Sequence, residues 1–308
     1  MKISIITVCK NSEKYIEKCI RSVIAQTYED IEYIIVDGNS QDKTKEIIAR
    51  YTSRISQLIS EPDRGIYQAM NKGIKLASGS FIYFLNSDDY LVDENVIRDV
   101  AIFININSGC DIFYGNLEVR VESAAPYIVI PPQPEAILDY MIAHSMPHQA
   151  TFARTDVFEK VGFFNESYKI ASDSEWYLNL LQDTSIKFCY YPRVIGSYYI
   201  SGLSSNVRAG LTEFWEIQNR AKIYQSEYWL KRRIVQFEEK ITSMEEQLAN
   251  WRNSFEIQQK EAEIQRVSAQ LQQVQNTITV METSKFWQMK KAWLRLKNVL
   301  GCAGKDGR

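Results

Sequence analysis

Acidic residues crowd the end of one strongly apolar run, where Phe81–Leu85 (FIYFL) leads straight into Asn86-Ser87-Asp88-Asp89. Neighbouring carboxylates repel each other unless a cation joins them. Mg²⁺ or Mn²⁺, held by one or two carboxylates together with substrate phosphates, would satisfy that arrangement. As a Lewis acid it would neutralise charge on a departing diphosphate. Three more polar stretches follow apolar runs in the same way: Lys10-Asn11, the segment Asp37-Gly38-Asn39-Ser40-Gln41-Asp42-Lys43-Thr44, and Glu61-Pro62-Asp63-Arg64-Gly65. Each alone reads equally well as a turn, and Ser87 or Asp88 equally well as the cap of a helix near Asp93–Asn105. Four on one rim read as a site. Later, Ser172-Asp173-Ser174-Glu175 sets two acids at a helix start, a place the helix dipole favours by itself. His144 and His148 stand at metal-ligand spacing, but the intervening Pro147 breaks the helix that would align them.

The elements that must carry these residues are legible from periodicity. Ile3–Cys9 and Ile31–Val36 are short continuous apolar runs, the mark of strands buried on both faces. Between them, Tyr15, Ile16, Cys19, Ile20, Val23 and Ile24 share one side of a helix that Asn11 or Ser12 is placed to cap. The spacing predicts a helix over Thr44–Tyr51, a strand over Arg54–Ser60, a helix over Ile66–Ala77 and a strand over Phe81–Leu85. Alternating strands and helices imply a parallel sheet with both faces covered, and ligands bind at the carboxyl ends of its strands. Every polar cluster falls at such an end.

The segments IIVDGNSQDKT, EPDRGIYQAMNKG, SGSFIYFLNSDD and HQATFAR…FEKVGFFNESYKIASDSEWYL resemble glycosyltransferase family 2, in that family's order and spacing, over residues 1 to about 205. The resemblance implies a GT-A fold, which is a Rossmann-like, mostly parallel sheet with helices on both faces. It also implies a nucleotide-diphospho-sugar donor, a divalent Mn²⁺ or Mg²⁺ and, usually, inversion at the anomeric carbon. By position, Asp37 would bind the nucleobase. Asp63 and Arg64 would line the donor pocket, Arg64 near the diphosphate, and Asn71 would support the same pocket. Asp88 would be the metal-binding acid. The family's preceding acid is replaced here by Asn86, which can hydrogen-bond ribose or a metal-bound water, so Asp88 is left as the main protein ligand. Asp89 would hold the loop. Asp173 aligns with the general base, the carboxylate that takes the acceptor proton, and Glu175 is its neighbour. The HQATF block puts His148 near the acceptor side. Tyr198–Ser204 resembles a segment that folds over the donor, and reads equally as a plain exit from a strand.

Beyond residue 205 the pattern changes. No glycine falls between Gly210 and Gly301, which suggests long helices. Leu230, Ile234, Phe237, Ile241, Met244, Leu248, Trp251 and Phe255 step alternately by four and three, a heptad repeat. A second run, Ile264, Val267, Leu271, Val274, Ile278 and Met281, follows after the register slips by two residues, which predicts a break. The reading is a self-associating coiled coil, hence a homo-oligomer, with a helix folded back on the first domain as the alternative. The tail Ser284–Leu300 is basic and aromatic with no acid, which suits a helix lying on an anionic membrane surface or one packed on protein. The expected organisation is a GT-A domain over 1–205, a helical connector over 206–229, a coiled coil over 230–283 and a basic amphipathic tail over 284–308.

Composition narrows the function. A net charge of −2 gives no basic surface for nucleic acid. The N-terminus lacks a signal-peptide pattern, and no apolar stretch is long enough to span a bilayer. Five widely spaced cysteines, Cys9, Cys19, Cys110, Cys189 and Cys302, read as buried reduced thiols in a cytoplasmic protein, and the inner face of the plasma membrane is where the basic tail would place it. The expected activity is transfer of a sugar from a nucleotide-sugar donor to a hydroxyl of a glycan or lipid-linked acceptor, in cell-surface polysaccharide or lipid-linked glycan synthesis. The alternative is a non-catalytic sugar-nucleotide-binding or coiled-coil scaffold protein.

Overall fold

The computed structural model describes residues 1–122, 124–200, 207–250, 257–283, 289, 291–293 and 295–296. The chain divides into two compact units, Met1–Ile223 and Tyr224–Arg308.

The first unit begins as the periodicity predicts. Strand β1 (Ile3–Cys9) is buried along its whole length, and α1 (Ile16–Ile24) buries Ile16, Cys19, Ile20 and Val23. Then come β2 (Ile31–Asp37), α2 (Thr44–Ala49), β3 (Gln57–Ser60), α3 (Ile66–Leu76) and β4 (Phe81–Phe84). β5 (Tyr90–Leu91), α4 (Val96–Ile106), β6 (Ile112–Arg120), β7 (Tyr127–Val129), α5 (Ile137–Tyr140), β8 (Thr151–Arg154), α6 (Thr155–Val161), α7 (Ser172–Gln182), β9 (Phe188–Tyr199) and α8 (Val207–Arg220) complete the unit.

The strands form one sheet in the order β3-β2-β1-β4-β8-β6-β9-β5, with β7 paired to β6. Pairings among β3, β2, β1 and β4 are parallel, as expected. The far half is mixed: β8 runs antiparallel to both β4 and β6, β7 antiparallel to β6 and β5 antiparallel to β9, while β6 and β9 are parallel. The sheet is therefore mixed rather than mostly parallel, because β8 enters between β4 and β6 in the reverse sense. A core of Ile3, Ile5, Tyr33, Ile35, Phe81, Tyr83, Phe113 and Phe152 runs through it, with the Tyr83 and Phe152 rings stacked 4.4 Å apart.

Two expectations are corrected. Neither Asn11 nor Ser12 caps α1, which begins after Tyr15 without a side-chain cap; the Ser12 hydroxyl instead faces Ser87 Oγ at 2.8 Å. Cys110 and Cys189 are not reduced thiols but a disulfide, their Cα atoms 6.0 Å apart. Pairing of Ile112 with Phe188 draws these two positions together across 79 residues of chain. Cys9 and Cys19 are free and buried.

In the second unit, α9 (Glu227–Asn250) and α10 (Ile257–Thr283) pack against each other. Leu230, Phe237, Met244, Val267 and Val274, all heptad positions, are buried. Lys291 Nζ lies 3.7 Å from Glu227, which joins the far end of the unit to the start of α9. The heptad stripe thus pairs two helices of one chain. Of the stretch from Phe255 to Ile264, where the register slips and a break is expected, residues 255–256 lie outside those described and residues 257–264 belong to α10. No described helix is long and apolar enough to cross a membrane.

Candidate active site

The carboxyl ends of β1, β2, β3 and β4 are tied into one rim. Asn11 and Asn39 adopt left-handed backbone (φ 52° and 59°), which asparagine tolerates better than most residues. Asn11 N donates to Ser40 Oγ and Asn11 Oδ1 accepts from Gln41 N, both at 2.8 Å. Gly38 N donates to Cys9 O at 2.8 Å. A Cβ on Gly38 would stand 2.1 Å from Asp63 Oδ2, so glycine is what lets the β2 and β3 ends close up. Asp63 is almost enclosed there, with Lys10 Nζ 3.7 Å from its carboxylate.

Asp37 is fully buried. Its carboxylate accepts from Ser40 N, Ser40 Oγ and Ser60 Oγ, and the Cys9 thiol points at it from 3.7 Å. It holds the loop after β2 against the end of β3. Burial first, and then the Asp37 charge, push the Cys9 thiol far above its usual range, so it stays protonated.

The loop after β4 carries the second group. Asn86 Oδ1 is buried without a hydrogen-bond partner, an acceptor that a cation or a ribose hydroxyl would satisfy. The Asp88 carbonyl accepts from Arg120 Nη2 at 2.8 Å. Asp89 is fully buried and accepts from Tyr199 N at 2.9 Å, fastening the loop to β9. Burial, and after it the Asp88 charge, raise the Asp89 carboxyl well above the usual carboxylate range. Arg120 was not foreseen. Its guanidinium lies over the rings of Tyr90 and Tyr199 at 4.4 and 5.1 Å and donates to Ser197 Oγ at 2.7 Å. Only the pairing of β6 with β9 puts this arginine beside the acidic loop. Among the described residues no group of three or more His, Cys, Asp or Glu comes together to hold a metal. The residues of this loop that could hold an ion are Asp88 and Asn86, the latter with its orphaned amide oxygen, a set that substrate phosphates would have to complete.

The third group comes from far along the chain. Asp173 is the second residue of α7 and buried. His148 Nδ1 is 3.0 Å from its Oδ2, and the Tyr67 hydroxyl is 3.2 Å from its Oδ1. Tyr67 also donates to Ile170 O at 2.5 Å. Burial, with the Asp173 charge adding to it, pushes the Tyr67 hydroxyl well above the usual phenol range, so it remains a donor. Tyr67 is the second residue of α3, in the first turn after the Asp63-Arg64-Gly65 loop, and so brings Asp173 to the β3 side of the rim. His148 Nε2 is buried without a partner. His144 is apart from this group, exposed and stacked on Tyr140 at 4.6 Å.

Glu166, which sequence reasoning missed, links two predicted donor residues. It accepts from Arg64 at 2.7 Å, Gln68 at 3.1 Å and Asn71 at 3.2 Å. The Asn71 amide, followed by Arg64 and Gln68, holds its carboxyl below the usual range. Asn71 also pairs both ways with the backbone of Phe164, donating to its carbonyl at 2.8 Å and accepting from its N–H at 3.0 Å. Of the segment Tyr198–Ser204, residues 201–204 lie outside those described.

Comparison with known proteins agrees with this geometry. The profile of "Glycosyl transferase family 2" matches residues 4–155. The chain is 28% identical over 209 residues to a PGL/p-HBAD biosynthesis glycosyltransferase of Mycobacterium bovis, covering 66% of this chain and 79% of that one. It is 31% identical over 193 residues to an uncharacterised glycosyltransferase of Rickettsia typhi, covering 60% of each. Among solved structures, S. aureus TarS 1–349 in complex with UDP-GlcNAc matches with a TM-score of 0.58 at 20% identity, over 74% of this chain and 68% of that one. The mannosyltransferase PcManGT from Pyrobaculum calidifontis, in complex with GDP-Man and Mn²⁺, matches with a TM-score of 0.52 at 12% identity, over 98% and 80%. With the sheet order, the rim and these likenesses in agreement, the chain belongs to glycosyltransferase family 2 and is a glycosyltransferase of GT-A fold.

Proposed function

We propose that the chain transfers a sugar, with inversion, from a nucleoside-diphosphate sugar to a hydroxyl of a surface-glycan or lipid-linked acceptor. The observation that carries this reading is the meeting of Asp173 with Tyr67 and His148 beside the Asp63–Arg64 loop. The acceptor oxygen forms its bond to the anomeric carbon as the bond from that carbon to the diphosphate oxygen breaks. The hydroxyl proton passes to the Asp173 carboxylate. Asp37, Asp63, Arg64 and Asn71 serve the donor side, and the exposed Arg64 guanidinium is free to exchange Glu166 for diphosphate oxygens. Asp88, with Asn86, would hold a divalent ion, which when bound neutralises charge on the leaving diphosphate. UDP-GlcNAc and GDP-Man in the two structural relatives support a nucleotide-sugar donor.

The test is a donor panel. The purified chain is incubated with UDP-, GDP- and dTDP-sugars and Mn²⁺ or Mg²⁺, nucleoside diphosphate release is followed, and Asp88→Ala runs beside it. Metal-dependent release from one donor, lost in the variant, is expected. No release together with no donor binding by calorimetry would overturn the reading in favour of a scaffold. The exposed Met289, Trp293 and Leu296 of the basic tail support docking on an anionic bilayer at the cytoplasmic face. Failure to sediment with anionic vesicles would remove that part, and a monomer by light scattering would remove self-association through the helical unit.

A further inference from the structure

The base loop is gripped from a helix that lies outside the profile match. Three successive amides immediately before α7 point at one carboxylate. Glu213 Oε1 accepts from Lys169 N at 2.8 Å, and Glu213 Oε2 accepts from Ile170 N at 2.8 Å and Ala171 N at 3.0 Å. Glu213 sits in α8, more than 50 residues past the end of the match at residue 155. On the other side of the same loop, Ile170 O takes the hydroxyl of Tyr67, which also reaches Asp173. The loop is therefore held by its N–H groups from α8 and, at Ile170, by its carbonyl from α3, three residues before the carboxylate that must be aimed.

Helix α8 is itself fixed to the domain. Gln218 Nε2 donates to Ile142 O at 3.0 Å and also to Met141 O, Phe214 and Ile217 are buried, and Gly210 approaches Ile170 so closely that a Cβ would stand 3.2 Å from its Cγ2. A charged acceptor shared by three backbone donors makes stronger hydrogen bonds than a neutral one, and reacting groups tolerate little displacement: about 1 Å costs on the order of a hundredfold in rate.

We propose that Glu213 is a positioning residue for Asp173, which makes α8 a working part of the catalytic unit. The proposal rests on the reading of Asp173 as the base. Glu213 touches no reacting atom in it; it sets where the α7 start, and with it the Asp173 carboxylate, stands.

The experiment uses the full chain with Glu213→Ala, Glu213→Gln and, as a control on the exposed side of α8, Glu216→Ala. Backbone hydrogen exchange at Lys169, Ile170 and Ala171 is read together with kcat, donor KM and thermal unfolding. Glu213→Ala is expected to lose protection at those three amides. Its kcat should fall at least about tenfold with donor KM within about twofold. Glu213→Gln keeps one acceptor oxygen and should recover part of both, and Glu216→Ala should match the parent. Lost protection with unchanged kcat would make Glu213 a stabilising cap and overturn the proposal, as would unchanged protection. If Glu213→Ala fails to fold, Glu213→Gln decides by the same readouts. Asp173→Asn runs alongside: full activity there removes the base assignment, and the exchange data still report separately whether Glu213 orders the loop.

Discussion

Replacing Asp173 by Asn should silence turnover while leaving the fold intact, and the local geometry says why. The two groups around the carboxylate are His148 Nδ1, 3.0 Å from Oδ2, and the Tyr67 hydroxyl, 3.2 Å from Oδ1. Tyr67 has a single proton and a nearer acceptor in Ile170 O at 2.5 Å. In the variant, the Asn carbonyl oxygen can keep the His148 contact when Nδ1 carries the proton. The Asn amide can then donate to the Tyr67 oxygen. No buried group loses its partner, so stability should change by less than about 1 kcal/mol. What vanishes is the basic site. Loss of a general base lowers the rate by about 10²–10⁴-fold, or roughly 2.7–5.5 kcal/mol in the barrier. The assay is kcat from nucleoside diphosphate release with acceptor present, alongside donor affinity by calorimetry and thermal unfolding. A kcat within threefold of the parent would refute the reasoning. So would a loss of donor affinity as large as the loss of rate, because that would make Asp173 a donor ligand instead.

Three further substitutions probe other parts of the structure. Gly38→Ala sets a Cβ 2.1 Å from Asp63 Oδ2 and forces that carboxylate to move by about 1.3 Å to reach ordinary contact; donor affinity should weaken by about tenfold or more for an overpacking cost of about 1–3 kcal/mol, and an unchanged dissociation constant would disconnect Asp63 from the donor. Asn71→Ala strands the backbone N–H and carbonyl of Phe164, at about 1–3 kcal/mol for each buried group, so melting should drop by several degrees, and a drop below one degree would contradict the pairing. Glu32 is buried, which raises its pKa, but hydrogen bonds from Ser4, Ser78 and Gln57 outweigh burial and leave it below the usual carboxylate range. Its contribution is therefore present above the unfolded pKa and is lost as pH falls through the folded one. Glu32→Gln should destabilise by about 1–3 kcal/mol at neutral pH, with the gap closing in acid; a gap that does not narrow on acidification would count against it.

The strands β1, β2 and β4 and the helices between them were readable because a strand buried on both faces shows as an unbroken apolar run, and a helix beside it as a 3.6-residue stripe. The polar strand ends marked the rim for the same local reason. The reversed strand β8 gave no such mark, since a four-residue strand reads alike in either direction. The Cys110–Cys189 disulfide stayed hidden because wide cysteine spacing names no partner until β6 and β9 lie side by side. The heptad stripe in the second unit identified the apolar face of α9 and α10, yet could not say that the partner helix belongs to the same chain.

Local pattern was enough for β1–β4 with the helices between them, for the rim of polar residues and for the family they resemble, since these depend on neighbours within a few positions. Tertiary structure alone decided which distant groups meet: Asp173 with Tyr67 and His148, Glu166 with Arg64 and Asn71, Arg120 with the Asp88 carbonyl, and Glu213 with the amides before α7. Tyr67 and Asp173 are 106 residues apart. A contact of that length depends on the order in which strands enter the sheet, and strand order is set by the packing of the whole domain rather than by any local pattern.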